Sequence, residues 1–150
     1  EFIYFKTLYH IFEEYLNEGI VKKQSAERAR ALSLIEEAEE KRTFLSTALE
    51  NIPKEKISSN FLVDTSYDIL IEIIRAKMLL DGYSSKTSHE AEVSYLKILQ
   101  FSERDVRFMD ELRYNRNGIK YYGTIFSKEY AEKVQEFLTK IYPKLKAVLK

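Results

Sequence analysis

The sequence predicts an all-α fold, an antiparallel up-and-down bundle of four to six helices. Three observations support this class: apolar residues recur at spacings of three and four over long stretches, only 4 of 150 residues are glycine, and only 2 are proline. So few glycines and prolines are typical of long helices rather than of a turn-rich β fold. The length suits one domain, so we predict a single domain over 1–150, with an N-terminal helix and bridge over 1–24 and the bundle core over 25–150.

The first two helices are predicted from their apolar faces and their end signals. The first helix covers 2–18, and Gly19 follows it as a residue that tolerates a positive φ. The second helix should begin near Ser25, a good N-cap residue with Glu27 in the first turn. It should end before Pro53, because the residue ahead of a proline avoids the α region.

The third helix, over Ser59 to Leu80, is apolar around most of its axis, which predicts that it is the central helix of the bundle. Its narrow polar stripe consists of Asp68, Glu72 and Arg75. We interpret the stripe as a structural set of salt bridges, with Arg75 one helical turn after Glu72. A buried pair of acids is the functional alternative.

The fourth and fifth helices are predicted from capping residues. Thr87 and Glu90 have the spacing of a capping box, in which each side chain bonds a free backbone N–H of the first turn. Ser102 should cap the fifth helix, with Asp105 at its third position.

The last helix should begin at Ser127 and carry a coiled-coil-like apolar seam. Gly118 and Gly123 bracket the possible ends of the preceding helix. Pro143 lies inside the seam and should kink or interrupt the helix, because proline lacks the N–H that a helix interior uses.

Composition excludes several classes of protein. The chain has no cysteine, which excludes a disulfide framework, a thiolate nucleophile and a cysteine zinc site, and which fits a cytoplasmic location. With 24 basic and 24 acidic residues the formal net charge is zero, so any contact with nucleic acid must use a local patch. No apolar run approaches the roughly 20 residues of a membrane span, and the N-terminal segment does not resemble a signal peptide, so we expect no membrane association.

Most enzyme signatures are missing from the sequence. It has no glycine-rich phosphate loop and no His-Glu-x-x-His motif, and its only histidines are His10 and His89. We therefore expect no metal and no cofactor. His89 is interpreted as a surface or capping residue, and His10 as a packed residue of the first helix.

One stretch, 111–123, combines cations at helical positions i, i+3 and i+7 with interleaved tyrosines. These residues are Arg113, Tyr114, Arg116, Lys120, Tyr121 and Tyr122. On one side of a helix they could hold a phosphate and stack a base. The alternative is structural: cations near a helix C-terminus offset its dipole, and tyrosines pack where helices meet.

The sequence resembles the HEPN family (higher eukaryotes and prokaryotes nucleotide-binding domain) over about 25–142. The resemblance depends on the long second helix with Ala-Glu-Arg-Ala-Arg-Ala-Leu, and on the central helix that leads into the Gly82-Tyr83…Lys86-Thr87-Ser88-His89 turn. It also depends on the arginine-rich element 112–117, which is followed by Tyr-Tyr-Gly at 121–123.

Membership would imply an antiparallel bundle of four to five helices, usually a homodimer. Many relatives are metal-independent endoribonucleases with an Arg, a polar residue and then a His four to six residues after the Arg. Many are toxins that a small nucleotidyltransferase partner neutralises. By this resemblance Arg116 matches the motif arginine and Asn117 the polar residue, but the histidine position falls on Tyr121.

This departure bears directly on catalysis. Tyrosine, with an ordinary pKa near 10, is a poor base at neutral pH, whereas histidine titrates near about 6.5. His89 could substitute only if the fold brings it close. We therefore expect a dimeric HEPN-like protein that binds RNA or a nucleotide through Arg116 and its neighbours and pairs with a nucleotidyltransferase in a toxin–antitoxin-like system.

Two alternatives to this function remain open. One is a metal-independent endoribonuclease that uses Arg116, Asn117 and Tyr121. The other is a non-catalytic scaffold for dimerisation.

Overall fold

The computed structural model describes residues 12–150, which form a helical bundle with one two-stranded antiparallel ribbon. The helices are α1 (described over 12–17), α2 (Arg28–Asn51), α3 (Ser59–Leu80), α4 (His89–Ile98), α5 (Glu103–Tyr122) and α6 (Lys128–Val148), and a 3₁₀ turn covers Lys54–Lys56. Strands β1 (Lys22–Lys23) and β2 (Tyr83–Ser84) pair Lys22 with Ser84 and Lys23 with Tyr83. The all-α class is confirmed. The part of the first helix predicted before residue 12, with His10, lies outside the described residues.

Helix α3 has the predicted bounds and the predicted central place. It packs against α2, α4, α5 and α6. Its fully buried side chains include Tyr67, Leu70 and Ile73, which belong to one continuous core. A helix that is apolar around its axis is stable in water only when neighbours cover several of its sides, and this arrangement supplies them.

Four serines cap helices by accepting a hydrogen bond from the N–H three residues on, as N-cap residues do. They are Ser58, Ser88, Ser102 and Ser127. The predictions for Ser102 and Ser127 are confirmed. The capping box at Thr87 is wrong by one residue, since Ser88 is the cap and the Glu90 carboxylate accepts a 2.8 Å hydrogen bond from the Tyr15 hydroxyl.

The second helix begins later than predicted, at Arg28 rather than near Ser25. The backbone N–H of Gln24 donates to the Gly82 carbonyl (2.9 Å), and that of Glu27 donates to the Leu79 carbonyl (3.2 Å). These bonds hold residues 24–27 against the end of α3, so these residues cannot join the first turn of α2. The predicted end before Pro53 is confirmed.

Proline does not interrupt the last helix. Helix α6 continues through Pro143 to Val148, with Ile141 and Leu145 buried on either side of the proline. Packing of this seam compensates for the hydrogen bond that proline cannot form. Of the two predicted outcomes, a kink or an interruption, the interruption does not occur. Gly118 lies inside α5, whereas Gly123 ends the helix with a left-handed φ of 67°.

Helix directions depart from a simple up-and-down order. The hydrogen bonds of Glu27 with Leu79 and of Lys41 with Glu72 make α2 and α3 antiparallel. By the same argument α5 and α6 are antiparallel, because Asp105 bonds Lys140 and Asn115 bonds Tyr130.

Helices α3 and α4, however, run in the same direction. The bonded pairs between them increase together along both helices: Tyr67 with His89, Arg75 with Glu92, and Asp81 with Tyr95. The segment 82–88 returns along α3 before α4 begins, which permits this arrangement despite the short connection. The prediction that consecutive helices are all antiparallel is wrong here.

Candidate functional site

The polar residues singled out in the sequence meet where the first half of α3, the start of α4 and the second half of α5 come together. At the centre is Tyr67, whose side chain is buried. We call Tyr67, His89, Arg116, Asp64 and Asp68 the Tyr67 cluster. The fold therefore brings the predicted motif arginine and the predicted candidate histidine to one aromatic ring.

Arg116 is held by two carboxylates of α3. Its Nε donates to Asp64 (3.0 Å) and its Nη2 to Asp68 (3.1 Å). The guanidinium carbon lies 5.3 Å from the centre of the Tyr67 ring, within range of a cation–π interaction. The side chain is 16% exposed. Its charge is thus compensated within the chain, and an anion would have to displace an aspartate to bind it.

Arg113 is also engaged. Its Nε donates to Asp110 (2.9 Å), its Nη2 lies 3.6 Å from a carboxylate oxygen of Glu90, and its side chain is mostly buried. Lys120, in contrast, is exposed. Of the three cations predicted to form a phosphate-binding row, two form ion pairs inside the bundle.

His89 belongs to the cluster and is not a simple surface residue. Its Nδ1 and the Tyr67 hydroxyl are 2.9 Å apart, and the two rings lie nearly parallel with centres 5.8 Å apart. Burial lowers the pKa of His89, and the nearby Arg75 and Arg116 lower it further, against the opposing charge of Glu92. Burial also raises the pKa of Tyr67, so its hydroxyl stays protonated and can donate to the imidazole.

The polar stripe of α3 is salt-bridged, but to other helices rather than internally. Glu72 accepts from Lys41 of α2 (2.7 Å), and Arg75 donates two hydrogen bonds to Glu92 of α4 (2.6 and 3.0 Å). Asp68 pairs with Arg116. Burial raises the pKa of Asp68, Arg116 opposes that shift, and Asp64 adds to it.

Sequence reasoning missed Glu92, which has no exposed surface. It also accepts a 2.7 Å hydrogen bond from the Ser85 hydroxyl. The available signal was Arg75, a charged residue in a helix that is otherwise apolar, which requires a partner when buried.

The tyrosines of α5, unlike its two paired arginines, are open to solvent. Tyr114, Tyr121 and Tyr122 are 73%, 76% and 84% exposed, and Ile125 in the following turn is 86% exposed. Tyr121 therefore does not occupy a sheltered site in which a catalytic histidine would be expected. Asn117 is half-buried.

No metal site or membrane span is found in the described part of the chain. Over 12–150, no three His, Asp or Glu side chains come together in a way that could hold a metal ion. No helix in these residues combines the length and the apolar character needed to cross a bilayer. Comparison with family models, curated proteins and solved structures yields no match to this chain.

Proposed function

We propose that this chain is a HEPN-like helical module that associates with a second copy of itself through one exposed surface. We call this surface the tyrosine face, and it consists of Tyr114, Tyr121, Tyr122 and Ile125. The observation that carries the proposal is the exposure of these four large side chains along the second half of α5 and the turn that follows it. Tyrosine is enriched at protein interfaces because it offers a large apolar ring and a polar tip. The spacing of seven between Tyr114 and Tyr121 places both on one side of the helix.

The backbone that carries the tyrosine face is well anchored. The Asn60 side chain donates to the Thr124 carbonyl (2.7 Å) and accepts from the Phe126 N–H (2.9 Å), which ties the turn after α5 to the start of α3. Thr124 packs closely against Gly118, where an added Cβ would come within 3.0 Å of its hydroxyl. A preorganised surface loses little entropy when it binds.

Charge favours a protein partner over RNA. Binding of RNA depends on cations that neutralise phosphates, and here Arg113 and Arg116 are already paired with carboxylates. The cores of protein interfaces, by contrast, are poor in free charge and rich in aromatic rings. The RNA or nucleotide contact through Arg116 therefore has less support than association through the tyrosine face.

Sedimentation velocity across a concentration series tests the proposal. We expect a dimer at high micromolar concentration, and we expect the double variant Tyr121→Ser/Ile125→Asp to sediment as a monomer while its helical circular dichroism is unchanged. The matched control is Phe44→Ser, which removes an aromatic ring that is 64% exposed on α2 and outside the tyrosine face. That control should remain dimeric, and a monomeric parent protein at high micromolar concentration would refute the proposal.

One observation favours a second candidate, a metal-independent endoribonuclease centred on His89. Cleavage through the RNA 2′-hydroxyl needs a group that accepts a proton near neutral pH, and the neutral imidazole of His89 can do so at Nδ1 once the Tyr67 hydroxyl releases that nitrogen. The lowered pKa of His89 keeps it neutral at pH 7, and it shares the Tyr67 ring with Arg116. Arg116 could then stabilise the phosphate only after releasing Asp64 or Asp68.

This candidate is tested with labelled RNA in the presence of a chelator. His89→Gln should abolish cleavage, and Arg116→Lys, which keeps the charge, should reduce it. The Tyr121→Phe variant should retain activity, since Tyr121 is exposed. RNA that stays intact with the parent protein rules the candidate out.

A further inference from the structure

A cavity of about 390 Å³ opens at the end of the bundle where α2 finishes and α3 and α6 begin. The cavity lining includes none of the four residues of the tyrosine face, although Lys128 follows Ile125 by only three residues. Its volume lies within the range of about 300–1,000 Å³ that small-molecule pockets show. Apolar side chains form its walls: Leu49 of α2, Ile57 of the turn before α3, Leu62 of α3 and Ala131 of α6.

Two lysines line the cavity from different elements. Lys54 belongs to the 3₁₀ turn and Lys128 is the first residue of α6. Both are exposed, and among residues 12–150 neither forms an ion pair. The first residue of α3, Ser59, lines the cavity beside them.

The carboxylates that line the cavity, Glu132 and Glu136, lie further along α6 than Lys128. At a rise of about 1.5 Å per residue they are roughly 6 and 12 Å from Lys128 along the helix axis. Within the cavity lining, the two lysines therefore lie at the end of the bundle, and the two glutamates lie about one and two turns further along α6. The side-chain amide of Gln135, between the two glutamates, already donates to Ser66 (2.7 Å).

We propose that this cavity binds a medium-chain carboxylic acid, with the hydrocarbon chain against Leu49, Ile57, Leu62 and Ala131 and the carboxylate between Lys54 and Lys128. Burial of the hydrocarbon chain supplies most of the binding free energy, because removing apolar surface from water is favourable. The lysines select the head group, because a carboxylate forms ion pairs with two ammonium groups that have no partner in the described chain. The same two lysines would repel the positive head group of an alkylammonium ion.

The test uses decanoate, decanol and decylamine below their micelle concentrations, with isothermal titration calorimetry for affinity and ¹H–¹⁵N NMR for location. Decanoate should bind more tightly than the other two and should shift amide signals of residues around 49–62 and 128–136. The double variant Lys54→Gln/Lys128→Gln should weaken the binding of decanoate roughly twofold to thirtyfold, since each of the two exposed ion pairs contributes about 0.2–1 kcal/mol. Binding of decanol should not change.

The matched control is Lys56→Gln/Lys133→Gln, which removes two lysines from the same turn and the same helix without touching the cavity lining. It should bind decanoate like the parent. A second variant, Ser59→Phe, places a ring in the cavity and should abolish binding of both decanoate and decanol. Equal affinity for decylamine, an unchanged affinity in Lys54→Gln/Lys128→Gln, or no binding of decanoate would each overturn the proposal, whatever the oligomeric state.

Discussion

At the scale of single residues, Glu92 shows how strongly a buried charge depends on its partners. The carboxylate has no exposed surface and is held by Arg75 and Ser85. Removing one partner of a buried pair leaves an uncompensated charge, whereas removing both can cost little.

We expect Arg75→Met to lower the free energy of unfolding by about 3–5 kcal/mol, because Glu92 would retain only the hydroxyl of Ser85. The double variant Arg75→Met/Glu92→Leu should recover most of that loss. Urea denaturation followed by circular dichroism measures both. Equal losses in the two variants would show that shape, rather than charge, explains the effect.

His89 should make stability depend on pH. Its pKa is lowered in the folded state, so below the unfolded value of about 6.5 the unfolded chain binds a proton that the folded chain does not. The contribution of His89 to the free energy of unfolding is therefore fully present above that pH, and it is lost as the pH falls toward the pKa of the folded state.

The measurement compares the parent with His89→Gln, which can still hydrogen-bond Tyr67, in urea at pH 7.5 and pH 5.5. The parent should lose stability relative to the variant on acidification. The raised pKa values of Asp68 and Glu72 act in the opposite direction at lower pH, but they are common to both proteins and cancel in the difference. Parallel pH profiles would contradict the expectation.

At the scale of secondary-structure elements, helix starts depend on backbone geometry as much as on residue type. Thr87 and Ser88 are both good capping residues, yet only Ser88 has its side chain at the N–H of Ala91 (3.2 Å). Ser25 could also act as an N-cap, but the backbone hydrogen bonds of Gln24 and Glu27 to the end of α3 make the helix begin later in the chain.

This difference predicts unequal effects for two adjacent substitutions. Ser88→Ala should destabilise the protein by about 1 kcal/mol through the loss of a cap, whereas Thr87→Ala should change stability by less than about 0.5 kcal/mol. Thermal or urea unfolding distinguishes the two. A larger loss for Thr87→Ala would place the cap one residue earlier.

At the scale of the whole molecule, one continuous core includes side chains from α2 to α6 around α3. Such a core should unfold cooperatively. Leu70→Ala removes a fully buried side chain of α3 and should cost about 2–5 kcal/mol. Fluorescence of the tyrosines and far-ultraviolet circular dichroism should report the same transition, and separate transitions would mean that the helices do not share one core.

The helical pattern could be predicted well because its causes are local. Apolar spacing placed α3 between Ser59 and Leu80, and the predicted serine caps Ser102 and Ser127 located the starts of α5 and α6. Each of these signals lies within a few residues of the element that it defines. The same local reasoning allowed an interruption at Pro143, which does not occur because packing along the α6 seam outweighs the missing hydrogen bond.

The candidate site could be predicted only as a set of residues. The sequence showed that Arg113, Arg116 and Lys120 share a face and that His89 lies at a helix start. It did not show which charges would meet, since Arg116 pairs with aspartates that are 48 and 52 positions away. Those pairings follow from how α5 packs on α3.

By itself, the sequence determined the class of fold, the central place of α3 and most helix boundaries, since these follow from hydrophobic periodicity and capping along a short stretch of chain. The tertiary structure alone decided that α4 runs with α3, that the arginines of α5 are compensated and that its tyrosines face solvent. The physical reason is range: a helix forms from contacts three and four residues apart, whereas an ion pair or an exposed face depends on which helices pack together and at what rotation.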